Sequence, residues 1–340
     1  MSSTTSAAGH VQGRSEWVPT RDGRRLHAMV LPGPGADTGS EGENDGKSEG
    51  EEAGGTGAPT VVFEAGAAAT RSSWALVQPA VGKWARAVVY DRSGLGRSPV
   101  DPDSRTMRRM ADDLQDLLDH FGPGPYVLVG HSAGGPLVRL AAAGRLDRIR
   151  GLVLVDPTDE GAELLFGATF RRAERVAIAI NLLLARLRLL GVAYGFVAKP
   201  LPEDARRDIR SDGFSVDVIR THRAQARTFL DELRQFRDAP PELGDIPVTV
   251  VSGGLTGAGM NQTTRRAANE AHARNAERSP RGKHVIAARS GHYVTLTEPD
   301  LVAEEIRLIA DQRPDRAIRP LADPHTAIDP ATIRPGDHWP

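Results

Sequence analysis

Tyr126-Val127-Leu128-Val129-Gly130-His131-Ser132-Ala133-Gly134-Gly135 is the stretch on which the reading of this 340-residue chain turns. Its first four residues are apolar or aromatic with no charge among them, which predicts a short strand buried on both faces. From Ala133 the run AGGPLVRLAAAG reads as a helix despite its early glycines. Between the two lies Gly-His-Ser-Ala-Gly, a G-x-S-x-G pattern. A serine on so sharp a strand-to-helix turn is held in strained backbone, with its hydroxyl lifted clear of the sheet. Such a turn leaves no room for bulk two residues before or after the serine, a need that Gly130 and Gly134 meet. The following helix N-terminus favours developing negative charge. Ser132 is the candidate nucleophile.

The pattern alone decides little. Gly46-Lys47-Ser48-Glu49-Gly50 fits it equally well, but lies in an acidic stretch with no strand before it and no helix after it. Ser48 is rejected on that ground, and Ser132 rests on its surroundings.

Outward from the turn the pattern repeats. Strands are expected at Thr60–Glu64, Ala87–Asp91, Tyr126–Gly130, Ile149–Asp156, Val248–Ser252 and His284–Ala287. Helices are expected near 73–84, 105–121, 133–145, 262–278 and 299–312. Apolar strands alternating with helices imply an α/β fold, a mostly parallel sheet covered on both faces. The helix at 105–121 carries Met107, Met110, Leu114, Leu117 and Leu118 at helical spacing, and Gly122 and Pro123 stop it. Residues 16–31 read as a hairpin around Arg-Asp-Gly.

Five divisions follow. Residues 1–15 read as a disordered tail, and 16–159 as the first part of the core. Residues 33–58 interrupt that part as a disordered acidic insertion, with almost nothing apolar to offset the entropy of ordering. Residues 160–240 read as a helical cap, since no strand is expected between Ile149–Asp156 and Val248–Ser252. Residues 241–312 return to the core, and 313–340 read as a loose tail. Within the cap, 171–198 is strongly apolar with interspersed arginines. That pattern suits a lid over an apolar pocket, and it also suits contact with a membrane surface.

Composition excludes several classes. There are no cysteines, so disulfides, thiolate metal sites and cysteine nucleophiles are out. The formal net charge is −1, and the basic residues are scattered arginines with four lysines, which argues against a nucleic-acid partner. No metal or organic cofactor signature is present. The N-terminus lacks a signal-type apolar core and no run is long enough to span a bilayer, so the expectation is a cytoplasmic protein.

From Thr60 to Pro157 the chain resembles the α/β-hydrolase superfamily. The resemblance is carried by VVFEAGAAATRSSW, YDRSGLGRS, VLVGHSAGG and LVLVD, and downstream by SGHYVTLTEPDLV. It implies a serine hydrolase with His292 as the general base. Ala133 would supply one oxyanion N–H. Ala67 would supply the other, next to Gly66, from a loop in which Ala65 replaces the usual histidine. His131 would be a pocket or support residue. The family's commoner acid, after the strand at Val248–Ser252, is missing, because SGGLTGAGMNQ holds no carboxylate. Members that place the acid one strand earlier point to Asp156, with Asp159 and Glu160 as alternatives. The branches that use an aspartate nucleophile do not fit, because position 132 is serine. The implied substrate is a small molecule, a hydrophobic carboxylic ester. Iminopeptidase-like or amidase action, C–C bond hydrolysis and acyl transfer share the same machinery. A non-catalytic ligand-binding scaffold is the alternative of another class.

Overall fold

The computed structural model describes residues 9–35, 58–103 and 105–312. Eight strands form one sheet: β1 (Arg14–Pro19), β2 (Arg25–Leu31), β3 (Thr60–Glu64), β4 (Ala87–Tyr90), β5 (Tyr126–His131), β6 (Ile149–Val155), β7 (Val248–Gly253) and β8 (Gly282–Ala287). Their order is β1-β2-β4-β3-β5-β6-β7-β8. The β1–β2 hairpin is antiparallel and β2 joins β4 antiparallel; the remaining pairs are parallel. The central strands β3, β4 and β5 are buried at every residue.

Period-two alternation divides these strands between two cores. Val62, Val88 and Leu128 face one way, toward Leu114 and Val138. Val61, Phe63, Val127 and Val129 face the other way, toward Trp74 and Ile306. Three helices come first: α1 (Gln78–Val81), α2 (Met107–His120) and α3 (Gly134–Ala143). Thr106 caps α2 by accepting from the Arg109 N–H at 3.2 Å. Each fully buried valine, leucine or phenylalanine contributes about 1.5–3 kcal/mol relative to exposure.

Six helices lie between β6 and β7: α4 (Ala168–Arg186), α5 (Leu190–Ala193), α6 (Gly195–Ala198), α7 (Glu203–Asp212), α8 (Val216–Gln225) and α9 (Phe229–Gln235). They are tied to the body by apolar and ionic contacts. Leu95, from the loop after β4, packs with Ile178, Leu182 and Ile219. Arg71, fully buried, bridges Asp91 of the body at 2.6 Å and Asp208 of α7 at 2.5 Å. The described residues close with α10 (Gln262–Glu277), α11 (Val294–Thr297) and α12 (Pro299–Asp311).

Two expectations need correcting. The single helix near 73–84 is a 3-10 turn at Arg71–Trp74 followed by the four-residue α1. Pro79 sits in the first turn of α1; its ring removes a backbone donor and cannot lie inside a longer helix. Residues 9–15 are not tail. Gln12 is buried, donates to the Arg71 carbonyl at 3.0 Å, and β1 begins at Arg14. Residues 1–8, 313–340 and most of the acidic stretch, 36–57, lie outside the described residues.

Candidate active site

Ser132 follows β5 with φ +52°, in the left-handed region that a β-carbon disfavours. The turn is held by three backbone hydrogen bonds. Ser132 N–H donates to the Val155 carbonyl at 3.1 Å, and its own carbonyl accepts from Gly135 at 3.0 Å and Thr158 at 2.9 Å. The two flanking glycines are sterically required. A β-carbon on Gly130 would stand 2.6 Å from the Gly134 oxygen, and one on Gly134 would stand 2.5 Å from the Glu64 oxygen.

Asp156, one residue beyond β6, also has positive φ, +40°. Its backbone N–H donates to Val251 at 2.6 Å. That conformation turns its carboxylate toward three donors. His292 Nδ1 lies 2.7 Å from Oδ2, while the Gly253 N–H at 3.0 Å and Arg265 Nη1 at 2.5 Å reach Oδ1. Burial alone would raise the Asp156 pKa. The hydrogen bond and charge of His292, with the Arg265 bond, hold it well below the usual carboxylate range.

The two alternative carboxylates are engaged elsewhere. Asp159 accepts from the Gly161 N–H at 2.7 Å and from Asn275 at 2.6 Å. Glu160 is buried in a bidentate pair with Arg139 at 2.7 and 2.9 Å, joined by Arg278 at 2.5 Å.

His131 lies beneath this pair. Its Nε2 donates to the His292 carbonyl at 3.0 Å, and its ring lies tilted against the His292 ring, 4.9 Å away, and edge-on to Trp74. Burial, aided by the neighbouring His292, pushes its pKa down to about 4, so the ring is neutral at pH 7.

Gly66 approaches the serine closely enough that a β-carbon on it would stand 3.2 Å from the Ser132 Cβ. Among the described residues the N–H groups of Ala67 and Ala133 donate to no protein acceptor. Arg92 positions the loop that carries Ala67. Its Nη1 reaches the Ala65 carbonyl and its Nη2 the Gly66 carbonyl, both at 2.6 Å, and it pairs with buried Glu64. Glu64 also accepts from the Tyr90 hydroxyl. Arg92 belongs to the YDRSGLGRS stretch, one of those that carry the family resemblance.

Two chambers open onto the serine. One, about 690 Å³, is walled by Phe170, Phe229, Leu230, Leu164 and Leu165. The other, about 280 Å³, is lined by Tyr194, Val197, Phe214 and Leu296 among others. Ser132, His292, Ala67 and the cap residue His222 line both. Sequence reading missed His222 and Arg265. A lone histidine or arginine within a helix carries no motif, and only the packing of α8 and α10 brings them to the site. No group of metal-ligating side chains occurs among the described residues.

A mostly parallel eight-stranded sheet with a serine on the turn after β5, and a histidine and an aspartate from later loops beside it, defines an α/β-hydrolase architecture. The alpha/beta hydrolase family model matches residues 61–305, and the chain belongs to that family. An AB hydrolase superfamily protein of Gibberella zeae is 27% identical over 293 residues, covering 74% of this chain and 86% of the relative. The sn-1-specific diacylglycerol lipase ABHD11 of Mus musculus is 37% identical over 105 residues, 30% of this chain and 34% of the lipase. The chain thus spans about a third of that relative, and only 16% of the length of the probable transporter efuK of Hormonema carpetanum, to which it is 36% identical over 109 residues. Among solved structures, a thermophilic esterase from Thermogutta terrifontis superposes with a TM-score of 0.59 at 22% identity, over 87% of this chain and 97% of the esterase. That likeness is one of fold.

Proposed function

We propose that this protein is a serine hydrolase of carboxylic esters, acting through an acyl-Ser132 intermediate. The observation that carries the reading is the 2.7 Å bond between His292 Nδ1 and Asp156, 136 residues apart in sequence, beside a serine at positive φ in the same cavity. Asp156 fixes the tautomer in which Nδ1 carries the proton and Nε2 is free to accept one. His292 takes the Ser132 hydroxyl proton as Oγ attacks the ester carbonyl. The Ala67 and Ala133 N–H groups stabilise the oxyanion. Collapse breaks the carbon–oxygen bond of the ester, and His292 returns the proton to the departing alcohol. Water then attacks the acyl carbon, giving one proton to His292 and, on collapse, restoring the serine hydroxyl.

The apolar walls of the larger chamber favour a bulky hydrophobic arm over a small polar substrate. The partial similarity to a diacylglycerol lipase points the same way. A non-catalytic scaffold is the less supported reading, because Asp156 at the end of β6 offers His292 the carboxylate that the stretch after β7 lacks. A fluorophosphonate probe is expected to label wild type and not Ser132→Ala; an unlabelled wild type sinks the proposal. p-Nitrophenyl esters of graded length, run beside a proline p-nitroanilide, test the bond. Turnover is expected to rise from acetate to medium chains and to be negligible on the anilide.

A further inference from the structure

Large exposed apolar side chains are concentrated on one part of this molecule. Of the fourteen among the described residues, nine fall between Leu164 and Phe196, all in the cap. Four of them, Val176, Ile180, Leu183 and Leu187, follow the i, i+4, i+7, i+11 spacing of a single helical stripe and are 52–57% exposed. Leu189, Phe196 and Val192, the last 79% exposed, follow in the short helical segments after α4. A concentration of this kind marks an interaction surface, whereas singly scattered apolar residues would not.

The other faces of α4 are accounted for. Ile178, Leu182 and Ala185 form the buried seam, packed with Leu190, Val218 and Ile219 of the cap and Leu95 of the body. Phe170, Ala173, Ala177 and Asn181 line the two chambers. The outward stripe is a separate face, bordered by cations. Residues 168–199 hold Arg171, Arg172, Arg175, Arg186, Arg188 and Lys199 against the single acid Glu174. Arg171 pairs with Asp231 at 2.5 Å. Arg172, Arg175, Arg186 and Arg188 are exposed and make no ion pair among the described residues. This strip of surplus positive charge lies on a chain whose formal net charge is −1.

We propose that this face of the cap docks on an anionic lipid surface, with the apolar stripe seated in the headgroup boundary and the arginines on lipid phosphates. Charge complementarity selects that occupant. A second copy of the chain would bring two cationic strips together, whereas an anionic bilayer offers both an apolar phase and counter-charge. No described helix is long and apolar enough to cross a membrane, so the contact is one of lying on the surface. Because the same helix roofs the chambers, docking sets the site beside the phase in which hydrophobic esters partition.

The test is co-sedimentation of the full chain with vesicles of phosphatidylcholine alone and of phosphatidylcholine with phosphatidylglycerol, and it needs no activity. Wild type and Ser132→Ala are expected to pellet alike with the anionic vesicles, at least ten-fold more than with the neutral ones, and to be released by high salt. Ile180→Ser with Leu183→Ser, and separately Arg172→Gln with Arg186→Gln, are expected to lose most of the bound fraction. All four positions are exposed, so their circular dichroism should match wild type. A wild type that stays in the supernatant, or variants that pellet unchanged, overturns the proposal. So does a vesicle-free dimer in sedimentation velocity that the Ile180/Leu183 variant converts to monomer, since the face would then belong to a second copy.

Discussion

Arg265 Nη1 lies 2.5 Å from Asp156 Oδ1, on the carboxylate whose other oxygen holds His292. The guanidinium is buried, and its Nε and Nη2 make no hydrogen bond among the described residues. A buried cation this close lowers the basicity of Asp156. Arg265 thus holds the carboxylate in place and shares it with His292.

That sharing can be read in a pH profile. Arg265→Met removes the cation, leaves Asp156 a stronger partner for the imidazolium, and should move the acid limb of kcat/KM to higher pH by about one unit. Arg265→Lys keeps a charge and should restore most of the limb's position. A purely structural role predicts lower activity with the limb unmoved.

Arg92 joins the buried Glu64 to the loop that presents Ala67. On the proposed mechanism, in which Ala67 donates to the oxyanion, Arg92→Met should cost kcat on the order of 10²-fold with little change in KM, because such a donor is needed most in the transition state. The substitution also leaves Glu64 unpaired, so Arg92→Met with Glu64→Gln provides the control. The double variant should recover thermal stability and not kcat. Recovery of both would leave Arg92 a structural role alone.

The body of the fold was legible because apolar strands and punctuated helices are local signals. β3 falls at the residues read from sequence, Thr60–Glu64. The hairpin was also visible in its Arg-Asp-Gly turn, where Gly23 takes φ +84°. The elbow was legible through context, since the same five-residue pattern at Ser48 had no strand behind it. The site's tuning was not legible. Arg265 and His222 reach it through helix packing, which leaves no mark in spacing. The break before α1 was signalled by Pro79 and missed, because the apolar residues around it overstated the helix.

Asp101 tests the electrostatics of the body. Its buried carboxylate meets Arg105, and also Arg109 at 2.5 Å and Arg24 at 3.5 Å. Burial raises its pKa, but the hydrogen bonds from Arg109, Asp103 N–H and Arg105 outweigh this and bring it down to about 2. A carboxylate with a depressed folded pKa stabilises above its unfolded value and loses that contribution as pH falls through the folded one. Asp101→Asn should therefore cost about 3 kcal/mol at pH 7 in urea unfolding. The gap from wild type should narrow as pH falls from about 4 toward about 2. A gap independent of pH would mean that the loss is one of packing.

His222 hangs from α8 at the junction of the two chambers and shares both with Ser132. Burial, with the charge of Arg92, pushes its pKa down to about 4, so the ring is neutral at pH 7. Its Nδ1 has no partner among the described residues. On the proposed mechanism a neutral imidazole that lines both chambers can give substrate a hydrogen bond, and its bulk takes up space that the two share. His222→Phe keeps the bulk and removes the polar atoms, and should lower kcat/KM about ten-fold, the worth of one neutral hydrogen bond. His222→Ala should instead merge the chambers and flatten the chain-length preference. In neither variant should a limb of the pH profile between 5 and 9 disappear, because the wild-type ring does not titrate there. Loss of such a limb in His222→Phe would mean that His222 itself exchanges a proton during turnover.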